Sequence, residues 1–165
     1  MKKLLGVMLV LPLVAWGGGK RASNGLPETA RPAIAAATAQ AAQRPHPRLF
    51  ADAAVFAALR ARAANPAASD AYVKMGAEHV RECADGLLGT PPVERIKEGR
   101  RLLAVSRRAL LRINTLALAY RLGGRRAHLD RAVAELRAVC AFSDWNPSHF
   151  LDVAEMSLAV ATGYD

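Results

Sequence analysis

Asp144-Trp145-Asn146-Pro147-Ser148-His149-Phe150-Leu151-Asp152-Val153-Ala154-Glu155-Met156, continuing through Ser157 to Asp165, is the stretch that decides the fold class of this chain. It predicts a turn followed by a helix over 147–162. Asn146 is suited to the N-cap, and Pro147 to the first helical position, where its missing N–H has no intrahelical partner to lose. At about 100° per residue, Leu151, Ala154, Leu158 and Ala161 make one stripe, while Val153, Met156 and Val160 cover much of the remaining circumference. Such a helix needs neighbours on most of its sides. Asp152 and Glu155 interrupt it, with His149 in its first turn; they serve either as capping groups or as the lining of a site. Gly163 is expected to stop it.

The rest of the composition points the same way. Hydrophobic residues make up 52% of the 165, which excludes a wholly disordered chain and leaves room for one domain of ordinary size. Aromatics are only 5%, and alanine supplies much of the apolar content, favouring closely packed helices over a sheet. The expected class is all-α.

In chain order, residues 1–17 read as an export signal. Lys2 and Lys3 precede an apolar run from Leu4 to Ala15, and small residues follow. The run is too short to span a bilayer core, which takes about 20 residues. Trp16 stands where a lipoprotein signal would carry its cysteine, so no stable membrane anchor is expected. Residues 18–45, rich in Ala, Pro, Thr and Gln, hold few large aliphatics and are expected to be a flexible linker. The folded part is placed at 46–165, beginning with an extended His46-Pro47 lead-in.

Four further helices are expected before the last. The first is capped by Asp52, carries Val55, Phe56, Leu59 and Ala63 on one side, and ends at Asn65-Pro66. The second, about 69–84, presents Tyr72, Met75, His79 and Cys83 as a core stripe, with His79 hydrogen-bonded inside or at the boundary. The third, about 93–122, buries Leu102, Val105, Ala109, Ile113, Leu116 and Tyr120, and Gly123-Gly124 closes it. The fourth, about 126–141, turns Leu129, Val133, Leu136 and Cys140 to one side. The short Gly-Gly joint makes the third and fourth an antiparallel hairpin. Successive hairpins of this kind build a closed toroid or an open solenoid.

Of the net charge of +9, nearly all falls between Val93 and Arg137, where twelve Lys or Arg face four Asp or Glu. That is either a solvated arginine-rich face or an attractor for an anionic polymer. Nucleic acid is not expected, because few aromatics are present to stack on bases. Cys83 and Cys140 would allow one disulfide in an oxidising compartment, or remain as free buried thiols. Four separated histidines and two distant thiols give no metal-ligand pattern, and no phosphate loop, dinucleotide fingerprint or nucleophile elbow is present. No cofactor is expected.

The wording His149-Phe150-Leu151-Asp152-Val153-Ala154-Glu155-Met156, ending in Gly163-Tyr164-Asp165, resembles a segment near the front of the heparinase II/III-like polysaccharide lyases. His46-Pro47-Arg48-Leu49-Phe50 and the helix after it resemble the same family, so the likeness covers about 45–165. It implies an (α/α) toroid, incomplete here, in a periplasmic or secreted enzyme that cleaves uronic-acid-containing polysaccharide by β-elimination. That chemistry neutralises the uronate carboxylate, removes the C5 proton with a base and protonates the leaving O4. The family's Asn or His motif, its Tyr and its later His are expected beyond the equivalent of Asp165, so no catalytic residue is assigned, and the chain reads as an inactive amino-terminal fragment. Asn146, His149 and Glu155 are the candidate substrate-binding residues, the partner being an anionic polysaccharide. The outer side of the last helix would leave an apolar patch through which such a fragment associates. The competing reading is an exported helical-repeat binding module of the tetratricopeptide kind.

Overall fold

The computed structural model describes residues 31–42 and 45–165; the expected export signal lies outside them. The chain divides into two units after Gln43. In the first, Arg31–Ala42 form a helix, α1, inside the stretch expected to be linker. Alanine has the highest helix propensity of any residue, and Pro32 falls in the first turn, where no backbone N–H is needed.

The second unit is all-α: α2 (Ala53–Ala64), a 3-10 turn (Ala68–Asp70), α3 (Ala71–Leu87), α4 (Leu103–Gly123), α5 (Arg126–Cys140) and α6 (Phe150–Tyr164). Asp52 caps α2 as expected, its carboxylate accepting from Val55 N at 2.9 Å, and Asn65 ends it. The 3-10 turn is tied back to α2 by Asp70, which accepts from Arg62 Nε at 2.7 Å and Asn65 Nδ2 at 2.9 Å.

Helix α4 is the hub against which α3, α5 and α6 pack. Leu102, Val105, Ala109, Ile113 and Leu116 are buried as the periodicity predicts. Burying a side chain the size of Ile113 or Leu116 contributes roughly 1.5–3 kcal/mol. Gly124 closes α4 in the left-handed region at φ +71°, its N–H donating to Tyr120 O at 2.7 Å. Ala132 packs with Leu116 and Ala119, and Val139 joins the cluster of Val105 and Ala109, so α5 runs back along α4 as the expected antiparallel hairpin. Helix α6 runs parallel to α4: Ser106 Oγ donates to Asp152 O at 2.9 Å near one end, and Thr162 Oγ1 to Asn114 Oδ1 at 2.8 Å near the other.

The structure corrects the sequence reading in several places. Helix α4 starts at Leu103 rather than Val93, because residues 88–102 form a strap with a turn closed by a Glu98–Arg101 bridge and Gly99 at φ +60°. Gly99, in the left-handed region inside that turn, breaks any helix run on from Val93. On α3 the residues turned inward are Val73, Ala77, Val80, Ala84 and Leu87, while Tyr72, Met75, His79 and Cys83 are exposed. The two stripes are a rotation apart, and the smaller side chains let α3 lie close on α4.

On α5 the buried side is His128, Arg131, Ala132, Glu135 and Val139; Leu129, Val133 and Leu136 are only half-buried. Cys140 is exposed, and both cysteines are free, so neither the disulfide nor buried thiols describe them. On α6 the inward residues are Asp152, Met156 and Ala159, whereas Leu151 and Leu158 are exposed. Its N-cap is His149 and not Asn146. Nor does Gly163 end the helix. A Cβ there would lie 2.4 Å from Ile113 Cγ2 and 3.0 Å from Leu136 Cδ2, so glycine is what lets α6 touch α4 and α5.

Gly163→Ala therefore destabilises the fold. The helix-propensity gain of about 1 kcal/mol is outweighed by overpacking of about 1–3 kcal/mol against a stiff, buried β-branched side chain. Chemical denaturation should show a net loss of about 1 kcal/mol; a stabilised variant would mean that the helices do not approach this closely.

Candidate functional site

The amino ends of α4 and α6 lie side by side, and the three sequence-predicted residues are all found there. The centre of this end is Asp152, fully buried in the first turn of α6. Its Oδ2 accepts from Leu102 N and Asn146 Nδ2, each at 2.7 Å, and its Oδ1 from Arg101 Nη2 at 3.1 Å and Nε at 3.2 Å. Burial alone would push this carboxyl upward, but the Asn146 amide, the Leu102 N–H and the Arg101 guanidinium outweigh it and hold it below the usual carboxylate range. An acid at a helix amino terminus is also favoured by the peptide dipoles.

Asn146 is 2% exposed and sits at φ +59°, a conformation its short amide tolerates. Its amide nitrogen donates to Asp152 and to Arg100 O at 2.9 Å, while its Oδ1 accepts from Lys97 Nζ and Ser148 Oγ, each at 3.2 Å. These bonds are all made inside the protein, so Asn146 ties the strap to the start of α6. The preceding Asp144 accepts from Arg95 Nη2 at 2.6 Å and from Asn146 N at 2.7 Å; Arg95 and that N–H hold its carboxyl below its ordinary value.

His149 is half-buried, its Nδ1 3.2 Å from Ser148 Oγ and 3.4 Å from Asn146 Nδ2. Glu155, one turn into α6, receives Arg107 Nε on both oxygens at 3.1 and 3.2 Å. These two remain at the surface of this end, Glu155 already neutralised by an arginine.

The arginine-rich hairpin is largely occupied by such partners. Arg125 pairs with Asp85, Arg126 with Asp130, and Arg131 and Arg112 with the fully buried Glu135 at 2.6 and 3.6 Å. Arg112 also donates to Pro91 O, Arg131 to Thr90 O, and Glu135 accepts from Val93 N at 3.0 Å. Buried His128 bonds Asp85 through Nε2 at 2.8 Å, and its Nδ1 has no hydrogen-bond partner. Hence much of the positive charge seen in the sequence is taken up inside the fold, with Arg95, Lys97, Arg101, Arg112 and Arg131 tying the strap to its neighbours. Among the described residues between Val93 and Arg137, Arg100, Arg108 and Arg137 are exposed without an ion pair, and Lys97 bonds only a neutral amide.

At the other end of α6, Asp165 accepts from His46 Nδ1 at 2.7 Å, Arg48 N at 2.8 Å and Leu49 N at 2.9 Å, while the His46 ring meets Tyr164 edge-on. Burial acts to raise the Asp165 carboxyl, and the two N–H groups with His46 overcome it and lower it. Along α4, Val80, Arg107, Leu110, Leu111, Asn114, Thr115 and Leu118 line an open groove of about 350 Å³. It is mostly apolar and holds no aromatic ring, which suits a packed helix better than a sugar.

Sequence reasoning named Asp152 as a capping group or site lining but not its partners, and it missed Glu135 and Arg101, which lie inside an otherwise apolar or basic pattern. The available signal was an acid at a helix start and an i,i+4 Arg–Glu pair. Among the described residues no group of three or more His, Cys, Asp or Glu is placed to hold a metal, and no helix is long and apolar enough to cross a membrane. No protein-family model and no characterised protein gives a match to this chain.

Proposed function

We propose that residues 46–165 form part of the helical domain of an exported polysaccharide lyase of the heparinase II/III-like kind, acting on uronic-acid-containing polysaccharide by β-elimination. One observation carries the reading. The two stretches that resemble this family, His46–Phe50 and Gly163–Asp165, stand more than a hundred residues apart in sequence, yet three donors from the first close on one carboxylate of the second. That the two pieces of wording meet in one hydrogen-bonded cluster is what supports the reading.

Two further features support it. The outer face of α6 and the groove along α4 are largely apolar, and Tyr72 and Met75 of α3 are exposed, as helices of a larger (α/α) array would be. On the strap and the first turns of α4, Lys97, Arg100 and Arg108 are exposed, as are Glu94 and Glu98. This end supplies attraction for a polyuronate, and none of the family's elimination motifs is among its residues, so the chain itself is read as binding without cleaving. A tetratricopeptide-like module fits less well, since the strap at 88–102 breaks the helix–turn–helix rhythm.

The test is binding of the full chain to alginate, heparin or hyaluronan against neutral glucans. Binding should be confined to the acidic polymers and weaken as salt rises through the range where the Debye length falls below about 10 Å. The double variant Arg100→Ala/Arg108→Ala should lose severalfold in affinity. No unsaturated uronate should form. Equal binding to neutral glucan, or none to any polyuronate, removes the reading.

A further inference from the structure

The exposed stripe of α3 has a chemical feature that the polysaccharide reading does not use. His79 and Cys83 stand one helical turn apart, both exposed, with His79 Nε2 3.6 Å from Cys83 Sγ. A zinc ion bound at about 2.05 Å to an imidazole nitrogen and about 2.3 Å to a thiolate, at the tetrahedral angle, holds those two atoms about 3.5 Å apart. The pair therefore already has the bite of a chelate. Spacing of i and i+4 on one helix face is the arrangement by which helices present two ligands to one ion. Gly76, one turn before His79, leaves the approach open: a Cβ there would meet nothing within 4 Å.

We propose that His79 and Cys83 form a two-point chelate for a thiophilic divalent cation of the zinc class. On binding, the Cys83 thiol releases its proton to solvent as the sulfur–metal bond forms, and neutral His79 gives the Nε2 lone pair; no electron is transferred. Among the described residues no third His, Cys, Asp or Glu joins them, so the other two tetrahedral positions stay open to water or an external ligand. Without metal, the same geometry is a weak S–H···N contact, and the test separates the two.

The experiment uses the full chain, kept reduced, with cobalt(II) as the spectroscopic probe and zinc as competitor. Only Cys83 and Cys140 can supply a thiolate in this chain, so the sulfur-to-cobalt charge-transfer band isolates them from the other histidines. The band should appear, bleach on adding zinc, persist in Cys140→Ser and vanish in Cys83→Ser. In His79→Ala the affinity should fall by about tenfold or more, since the chelate becomes a single-point ligand. Both residues are exposed, so helical content and melting of the metal-free variants should match the parent. A 1:1 ratio supports the proposal, and so does a 2:1 chain-to-metal ratio that still needs both residues. Absence of the band, its loss in Cys140→Ser, or unchanged affinity in His79→Ala overturns it.

Discussion

Asp152→Ala should lower the unfolding free energy by about 3 kcal/mol, because it removes the acceptor for two buried donors and the partner of Arg101. Arg101 is partly exposed and can regain water, which keeps the cost below that of a fully buried pair. At roughly 4 °C per kcal/mol for a unit of this size, melting falls by about 10 °C. Asp152→Asn should cost less, since one acceptor oxygen survives. The acid limb of stability follows from the same groups. Asp144, Asp152 and Asp165 all have folded-state values depressed below the ordinary one. Their contribution is therefore complete above the unfolded carboxyl value of about 3.9 and is lost as pH falls through the lower folded values. A melting series should be flat from neutral pH to about pH 5 and decline below about pH 4, with a shallower decline in Asp152→Asn. A loss under 1 kcal/mol for Asp152→Ala would show that the strap is held by something else.

Glu135→Ala should be at least as damaging, at about 3–5 kcal/mol. The carboxylate is fully buried, and its loss strands Arg131, which is 8% exposed, together with the Val93 N–H. Glu135→Gln keeps an acceptor for Val93 but not the charge facing two guanidiniums, and should fall between the parent and Glu135→Ala. The double change Glu135→Leu/Arg131→Met removes both charges in similar volume and should recover much of the loss. A double-mutant cycle read by denaturant titration measures this coupling. Additive losses in the double variant would contradict a charge-paired interior on α5.

Both predictions concern the strap at 88–102, of which 93–102 was read in the sequence as the first turns of α4. Nothing in its local pattern names its partners. Val93 N is satisfied from α5 and Leu102 N from α6, by residues 42 and 50 positions away. A backbone segment without its own ladder needs such acceptors, and side chains that supply them come from whichever helix the packing brings near. The candidate site shows the same division. His149 and Glu155 stand out in the sequence as a histidine and an acid at the start of an apolar helix, and the fold keeps both at that end, whereas Asn146, chosen as a cap, makes its bonds to the strap instead.

The helical class, the Asp52 cap, the glycine closure after Tyr120 and the buried ridge from Leu102 to Leu116 were all written in the sequence, because they depend on neighbours within a turn or two. Which face of α3, α5 and α6 points inward was not. Several of their sides are apolar enough to bury, and the choice fell to fit: Ala84, Ala132, Ala159 and Gly163 let the backbones approach α4, leaving Tyr72, Met75 and Leu158 outside. Tertiary structure alone also set the fate of the arginines, since a charge read along the chain says nothing of the carboxylate that folding places against it.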